Sequence, residues 1–228
     1  DGESDLSNWK SFLHKIKNPE KKVKIGLIGK YVELPDAYKS IAEAFIHAGA
    51  MNNAKVKLVW LHSEELSEQD IQHELQGLDG IVIAPGFGHR GIEGKVAAAK
   101  FARENNLPFL GICLGLQIAV IEFARNVLNL HDAHSTEMHR NTPHPVIDLM
   151  EEQKGISDLG GTMRLGSYTC NLKQNTRAYE AYNKNPIEER HRHRYEFNNE
   201  YLESFEKAGM IASGINEDTD LVEIMEIP

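Results

Sequence analysis

Short apolar runs alternate with amphipathic segments along the first half of the chain, and this alternation predicts strands joined by helices. Four runs are continuously apolar, as expected of strands buried on both faces. They are residues 23–31, 55–61, 80–86 and 107–112. Helices are predicted for residues 36–50, 67–75, 94–106 and 116–128. The pattern therefore predicts an α/β fold in which helices cover both faces of a mainly parallel sheet.

Single residues mark several predicted helix ends. Gly49 is expected to end the helix over 36–50, and Ser67 to cap the next helix. The first 22 residues are mostly polar, and the spacing of their few apolar side chains predicts a short surface helix ended by Asn18 and Pro19. We interpret residues 1–22 as a linker and residues 23–228 as one domain.

Composition and charge argue against several classes of protein, namely secreted disulfide-rich, membrane-spanning and nucleic-acid-binding proteins. A chain of 228 residues with 41% apolar content is long enough for one sizeable core. Two cysteines and no apolar signal segment argue against a secreted disulfide framework and favour a cytoplasmic protein. No window approaches the roughly 18 apolar residues of a membrane helix. A net charge of -9 disfavours a nucleic-acid surface, so neither membrane nor nucleic acid is an expected partner.

Cys113 lies between two glycines at the end of the fourth predicted strand, in the run PFLGICLGLQ (108–117). A strand that turns abruptly into a helix resembles a nucleophile elbow, and Gly111 and Gly115 allow the tight turn. The helix N-terminus favours a thiolate, and its N–H groups can hold an oxyanion. A small apolar filler is the alternative, but the flanking glycines favour a functional thiol.

The run GICLGLQ resembles the nucleophile motif of class I glutamine amidotransferases, and further segments resemble their CTP synthase branch, specifically its C-terminal glutaminase domain. The segments are 84–95, 135–137, 142–155, 159–168 and 189–199, which span nearly the whole chain. The resemblance implies a glutaminase that forms a Cys113 thioester and supplies ammonia for the ATP-dependent amination of UTP to CTP. That amination belongs to an N-terminal synthetase domain.

The resemblance also implies a role for each matched residue. Cys113 is the nucleophile, and backbone N–H groups of Leu114 and Gly86 hold the oxyanion. The glutamine site includes Gln117, Glu137 and Arg194, where we expect the carboxylate to hold the glutamine ammonium and the guanidinium to hold its carboxylate. The matched positions for glutamine and the oxyanion are Gly86, Leu114, Gly115, Leu116, Gln117, Glu137 and Arg194.

The run RHRHR (190–194) is flanked by acidic residues, which favours internal pairing over a nucleic-acid site. If the segment is extended, the three arginines lie on one face and the two histidines on the other. Only Arg194 has a role that the resemblance implies.

Two departures from the family bear on activity. Pro85 stands where the family has the first of two glycines, so one backbone donor is lost. The family's base and its orienting acid lie in a Phe-His-Pro-Glu strand beyond the point matched by Pro228. His144-Pro145 only imitates that motif, so we expect these 228 residues alone to be inactive and to lack the family's final strand and helix.

The resemblance assigns no cofactor and no metal to this domain and implies ATP and magnesium for the synthetase domain. It implies L-glutamine and that synthetase domain as partners, and a homotetramer. Whether GTP activates the protein stays open. The other hypotheses are a cysteine hydrolase of the same superfamily and a non-catalytic regulatory module.

Overall fold

A computed structural model describes residues 5–149 and 163–228. The chain divides into two units, which we describe separately. The first comprises Asp1–Gly86 and Arg90–Ile112, and the second comprises Phe87–His89 and Cys113–Pro228. The resembling segments 142–155 and 159–168 lie partly outside the described residues.

The first unit contains the predicted parallel sheet. Its strands are β1 (Lys21–Gly29), β2 (Ala54–His62), β3 (Gly80–Ile83) and β4 (Phe109–Gly111), in the order β2-β1-β3-β4. All three pairings between neighbouring strands are parallel, as the continuous apolar runs predicted. Its helices are α1 (Ser7–Lys17), α2 (Lys39–Met51), α3 (Ile71–Leu75) and α4 (Ile92–Glu104), with a 3₁₀ turn over Pro35–Tyr38.

Two predicted helix ends are wrong, and each has a local cause. The helix α2 continues through Gly49 to Met51, and Gly49 is buried. A Cβ there would lie 2.5 Å from the backbone oxygen of Ala54, so the glycine permits close packing rather than ending the helix. The next helix begins later than predicted, because α3 starts only at Ile71. Ser67 still caps the turn before it: its hydroxyl accepts from the Asp70 N–H over 3.3 Å and donates to the Asp70 carboxylate over 2.7 Å.

The second unit begins with α5 (Leu114–Asn126) and continues into strands that the apolar pattern did not resolve. Its described residues form the strands β5 (Ala133–Ser135), β6 (His144–Leu149), β7 (Arg164–Leu172), β8 (Ile187–His193), β9 (Tyr195–Phe197), β10 (Ile211–Ile215) and β11 (Val222–Glu226). They form sheets in the orders β11-β10-β7-β8 and β5-β6-β9. Except for β5 with β6, the pairings are antiparallel. The described part of this unit also contains the helices α6 (Arg177–Tyr182) and α7 (Leu202–Ala208) and a 3₁₀ turn over Asn199–Tyr201.

The strand β8 alternates as predicted. Arg190 and Arg192 are exposed, whereas His191 and His193 are partly buried on the opposite face. Arg194 lies beyond the end of β8 and is partly buried, so it does not continue the exposed row.

Within residues 5–149 and 163–228, we find no helix whose length and apolar character would allow it to span a membrane.

Candidate functional site

Cys113 has a backbone conformation that is unusual for a residue other than glycine. Its φ is 54° and its ψ is -105°, and it is the residue that precedes the first turn of α5. A side chain at positive φ is sterically strained, typically by about 1–3 kcal/mol, and such strain concentrates at functional sites. Cys113 is partly buried and is not in a disulfide. The strained turn predicted from the flanking glycines is therefore present at this thiol.

The first turn of α5 follows Cys113 directly. The N–H groups of Leu116 and Gln117 donate to the Cys113 carbonyl over 3.0 and 3.2 Å, which begins the helical ladder at the cysteine. Leu114 and Gly115 are buried. This arrangement places the thiol at the positive end of the helix dipole, where an anion is stabilised.

Gly86 and the residues after it belong to different units. Gly86 ends the first stretch of the first unit, and Phe87–His89 belongs to the second. Gly88 has a φ of 73°, which favours glycine, and its N–H donates to Oε1 of Glu137 over 2.9 Å. The predicted oxyanion role of Gly86 stays a prediction.

Glu137 is positioned by the residues that precede it. Ser135, at the end of β5, is fully buried, and its hydroxyl accepts from the Glu137 N–H over 3.2 Å. Thr136 donates its hydroxyl to Asp148 of β6 over 2.6 Å. These two hydrogen bonds connect the turn to β5 and β6 and hold the backbone of Glu137 in position. Its carboxylate accepts the Gly88 N–H from that position.

Gln117 joins α5 to β9. Its Nε2 donates to the backbone oxygen of Tyr195 over 3.2 Å, and the residue is 7% exposed. Its buried Oε1 has no hydrogen-bond partner among the described residues. A buried polar acceptor without a partner is costly, so this amide oxygen is suited to accept a hydrogen bond from a bound ligand.

Tyr195 interacts electrostatically with both predicted charged residues of the glutamine site. Burial raises the pKa of its phenol, Glu137 raises it further, and Arg194 acts in the opposite direction. Glu137 and Arg194 therefore both act electrostatically on Tyr195. The backbone oxygen of the same residue accepts the hydrogen bond from Gln117, so all three predicted residues interact with Tyr195.

The sequence analysis did not identify Tyr195. Its contact with Gln117 is made by the main chain, so no property of its side chain could have indicated it. His144, which imitated the base motif, begins β6 and pairs with Ala133 across the ladder.

The described part of the chain contains no cluster of side chains that is typical of a metal site. No group of three or more His, Cys, Asp or Glu side chains there could hold a metal ion. The site offers instead a thiol at a helix N-terminus, a carboxylate, a guanidinium and an amide oxygen. That set suits nucleophilic attack on a small substrate that carries both charges.

Comparisons with known proteins agree with this chemistry. The family model described as glutamine amidotransferase class-I matches residues 33–228. A CTP synthase of Cytophaga hutchinsonii is 63% identical over 225 residues, which are 99% of this chain and 42% of the relative. A CTP synthase of Flavobacterium psychrophilum is 61% identical over 223 residues, with 98% and 42% covered. The chain thus spans less than half the length of these relatives.

A solved structure is also similar. It is the glutaminase domain of Trypanosoma brucei CTPS with bound acivicin, at a TM-score of 0.84 and 36% sequence identity. The match covers 90% of this chain and 81% of the solved one.

Proposed function

Because the chain belongs to the class I glutamine amidotransferase family, we propose that it is the glutaminase part of a CTP synthase. It hydrolyses glutamine and supplies the ammonia for the ATP-dependent amination of UTP to CTP. The single observation that carries the proposal is Cys113, a thiol in a strained turn at the start of α5, within the matched region.

The chemistry of the half-reaction follows from the thiol. The Cys113 thiolate attacks the carbon of the glutamine carboxamide, and the resulting oxyanion is held by backbone N–H groups. The C–N bond then breaks, and the leaving nitrogen takes up the proton that the Cys113 thiol had lost and departs as ammonia, so a glutamyl thioester remains. Water attacks the thioester, which releases glutamate and restores the thiol. Leu114 and Gly86 are the proposed oxyanion donors.

Glutamine is held by its charged end in this proposal. Arg194 binds the carboxylate as a two-pronged donor, and Glu137 binds the ammonium. The buried Oε1 of Gln117, without a partner among the described residues, supports a further hydrogen bond to that ammonium. Both charges are then recognised, and an uncharged amide would bind poorly.

The whole protein is proposed to be larger than this chain. The relatives are more than twice as long, and a synthetase domain with ATP and magnesium sites would account for the difference. Cytoplasmic location and a homotetramer belong to the same proposal.

The test is Cys113→Ala in the full-length enzyme. We expect it to abolish glutamine-dependent CTP formation while free ammonia still supports CTP formation, because the thiol serves only to release ammonia. Cys170→Ala is the matched control, since Cys170 is a buried core residue and its loss should spare both activities.

Loss of both activities in a folded Cys113→Ala enzyme would contradict the assignment. If the protein is instead a hydrolase with another substrate, even the unmodified enzyme will not hydrolyse glutamine. A regulatory module would bind glutamine and release no ammonia.

A further inference from the structure

Two groups accept the glutamine ammonium in the proposed function, and different elements carry them. The first is the Glu137 carboxylate, which follows the last residue of β5 by two positions. The second is Oε1 of Gln117, whose amide nitrogen donates to the carbonyl of Tyr195, the first residue of β9. In their sheet, β6 lies between β5 and β9. The positions of both acceptors therefore depend on this one strand.

The two pairings of β6 meet within three consecutive residues. Ser135, at the end of β5, is paired with Ile147, and Tyr195 of β9 is paired with Leu149. Asp148 is the residue between these two paired positions. Its side chain is thus placed where the chain segments that hold the two acceptors come closest along β6.

The residues that follow β5 form a turn over residues 135–139, which we call the Glu137 turn. The N–H groups of Met138 and His139 donate to the Ser135 carbonyl over 3.1 and 2.9 Å. The buried Ser135 hydroxyl accepts from the Glu137 N–H over 3.2 Å. One serine therefore accepts three successive N–H groups, which fixes the shape of the turn.

Thr136 fixes the orientation of the Glu137 turn on β6. Its N–H donates to the Ile147 carbonyl over 3.0 Å, and its hydroxyl donates to Oδ1 of Asp148 over 2.6 Å. The main-chain bond alone would still allow the residues after Thr136 to swing about it, whereas two bonds to adjacent residues define a direction. A hydrogen bond to a carboxylate is also charge-assisted and stronger than one between neutral groups.

Asp148 is held in turn by its own strand. The Leu149 N–H donates to the same Oδ1 over 2.8 Å, so one carboxylate oxygen joins the side chain of Thr136 to the main chain of β6. Leu149 is the residue paired with Tyr195, and Asp148 also acts electrostatically on the Tyr195 phenol. Asp148 therefore connects the Glu137 turn with the pair of strands that holds Gln117.

We propose that Thr136 and Asp148 are positioning residues for the glutamine ammonium, because they align the Glu137 carboxylate with the amide oxygen of Gln117. This inference rests on the glutamine site of the proposed function. Oε1 of Glu137 accepts the Gly88 N–H, so the orientation of the turn determines where Oε2 lies. An ammonium donates hydrogen bonds in three set directions, so both acceptors bind it well only while their separation is maintained.

Loss of the Thr136 hydroxyl has a defined consequence. The main-chain bond between the turn and β6 remains, so the unit should stay folded. The turn can then swing about that bond, and the Glu137 carboxylate moves away from the ammonium. Glutamine should bind more weakly, whereas the attack of Cys113 on the carboxamide, at the other end of the substrate, should change less.

The test is the KM for glutamine of two variants of the full-length enzyme. Thr136→Val has the shape of threonine without its hydroxyl, and Thr136→Ser keeps the hydroxyl. We expect Thr136→Val to raise KM by roughly five-fold, the size expected for one lost hydrogen bond, with a smaller change in kcat. Thr136→Ser should restore a KM close to that of the unmodified enzyme. CTP formation from free ammonia should be the same in both variants, because it needs no glutamine.

Thr169→Val is the matched control, since Thr169 is exposed on β7 and the same substitution there should leave KM unchanged. An unchanged KM in Thr136→Val would overturn the proposal. A KM in Thr136→Ser as high as that in Thr136→Val would overturn it too, because the hydroxyl would then not be the group that positions the turn.

A double-mutant comparison tests whether Thr136 acts through Glu137. A Glu137→Gln enzyme has already lost the charge that the turn positions. Adding Thr136→Val to it should therefore raise KM by much less than the same substitution does in the unmodified enzyme. An equal rise in both backgrounds would contradict the proposal, since the two residues would then act independently.

A binding measurement without turnover separates this inference from the proposed function. Calorimetric titration of glutamine into the Cys113→Ala enzyme should give a Kd that the added Thr136→Val raises by the same factor as KM. If glutamine binds equally well to both, the inference fails and the glutamine site stands. If the Kd rises as expected but the unmodified enzyme releases no ammonia, the proposed function alone fails. If glutamine binds to neither, both fail.

Discussion

Glu137 carries two tasks on one carboxylate. One oxygen accepts the Gly88 N–H over 2.9 Å, and the proposed function gives the carboxylate a second partner in the glutamine ammonium. Replacement by Gln keeps an oxygen for the loop but removes the charge. The two tasks can therefore be separated by substitution.

We expect Glu137→Gln and Arg194→Lys each to raise the KM for glutamine with a smaller effect on kcat. Glu137→Gln removes a charge-assisted contact worth roughly 1.5–3 kcal/mol, which is on the order of ten-fold or more in KM. Arg194→Lys keeps the charge but loses the two parallel hydrogen bonds of the guanidinium, so its KM should rise less. Glu137→Ala should also lower kcat, because the Gly88 loop loses its anchor. Steady-state kinetics of ammonia release from glutamine measure KM and kcat for all three variants.

Glu180→Gln is the control for these variants, since Glu180 is an exposed residue of α6. An unchanged KM in both Glu137→Gln and Arg194→Lys would rule out the proposed pocket.

At the residue scale, motifs predicted the types of side chain and not their main-chain contacts. The glycines beside Cys113 indicated a tight turn, and the structure has φ of 54° there. Tyr195 stayed hidden because it contacts Gln117 through a carbonyl group, which every residue possesses.

The helix α4 of the first unit contains a buried lysine. Lys95 is 1% exposed. Burial, assisted by the nearby charge of Lys30, lowers its pKa to about 8. The group is therefore held in a setting that disfavours its charged form.

The sign of the resulting pH dependence follows from linkage. The unfolded chain keeps a lysine pKa of about 10.4, so between pH 8 and pH 10 it binds more protons than the folded chain. Stability contributed by this group must rise with pH across that window and stay constant below it. Near pH 7 the Lys95 amine is charged in both states, so its burial lowers the free energy of unfolding.

We expect Lys95→Met to raise the free energy of unfolding at pH 7, by on the order of 3 kcal/mol at most, and to remove the rise between pH 8 and pH 10. Denaturant unfolding measures this free energy at each pH. The fluorescence of Trp9 and Trp60, the two tryptophans of the chain, reports on the first unit. Lys100→Met, on the same helix but 35% exposed, is the control. Equal stability changes in both variants would contradict the prediction.

At the element scale, the parallel sheet was predictable because its strands are continuously apolar. The strands of the second unit were not, because β5 and β9 have three residues each and β8 is mostly polar. The alternation within β8 was predictable, since every second residue of a strand lies on the same face, and Arg190 and Arg192 do share one face. The same prediction fails for Arg194, because β8 ends at His193. The course of α2 through Gly49 depends on β2, which no local signal at Gly49 shows.

On the scale of the whole molecule, the account depends on one claim: Cys113 is the nucleophile of a glutamine site. The two cysteines provide an internal comparison. Cys113 is partly buried at a helix N-terminus, whereas Cys170 is fully buried and its pKa is raised to about 12. A reagent shaped like glutamine should distinguish them, because only a thiolate beside a glutamine pocket reacts quickly.

The most direct measurement is peptide mass spectrometry after reaction with an electrophilic glutamine analogue, with and without excess glutamine. The account predicts one adduct on Cys113, slowed by glutamine, with Cys170 unmodified. Arg194→Lys should slow the labelling as well, because the analogue carries the same carboxylate. Labelling of Cys113 that glutamine does not slow, or labelling of Cys170 at a similar rate, would contradict the central claim.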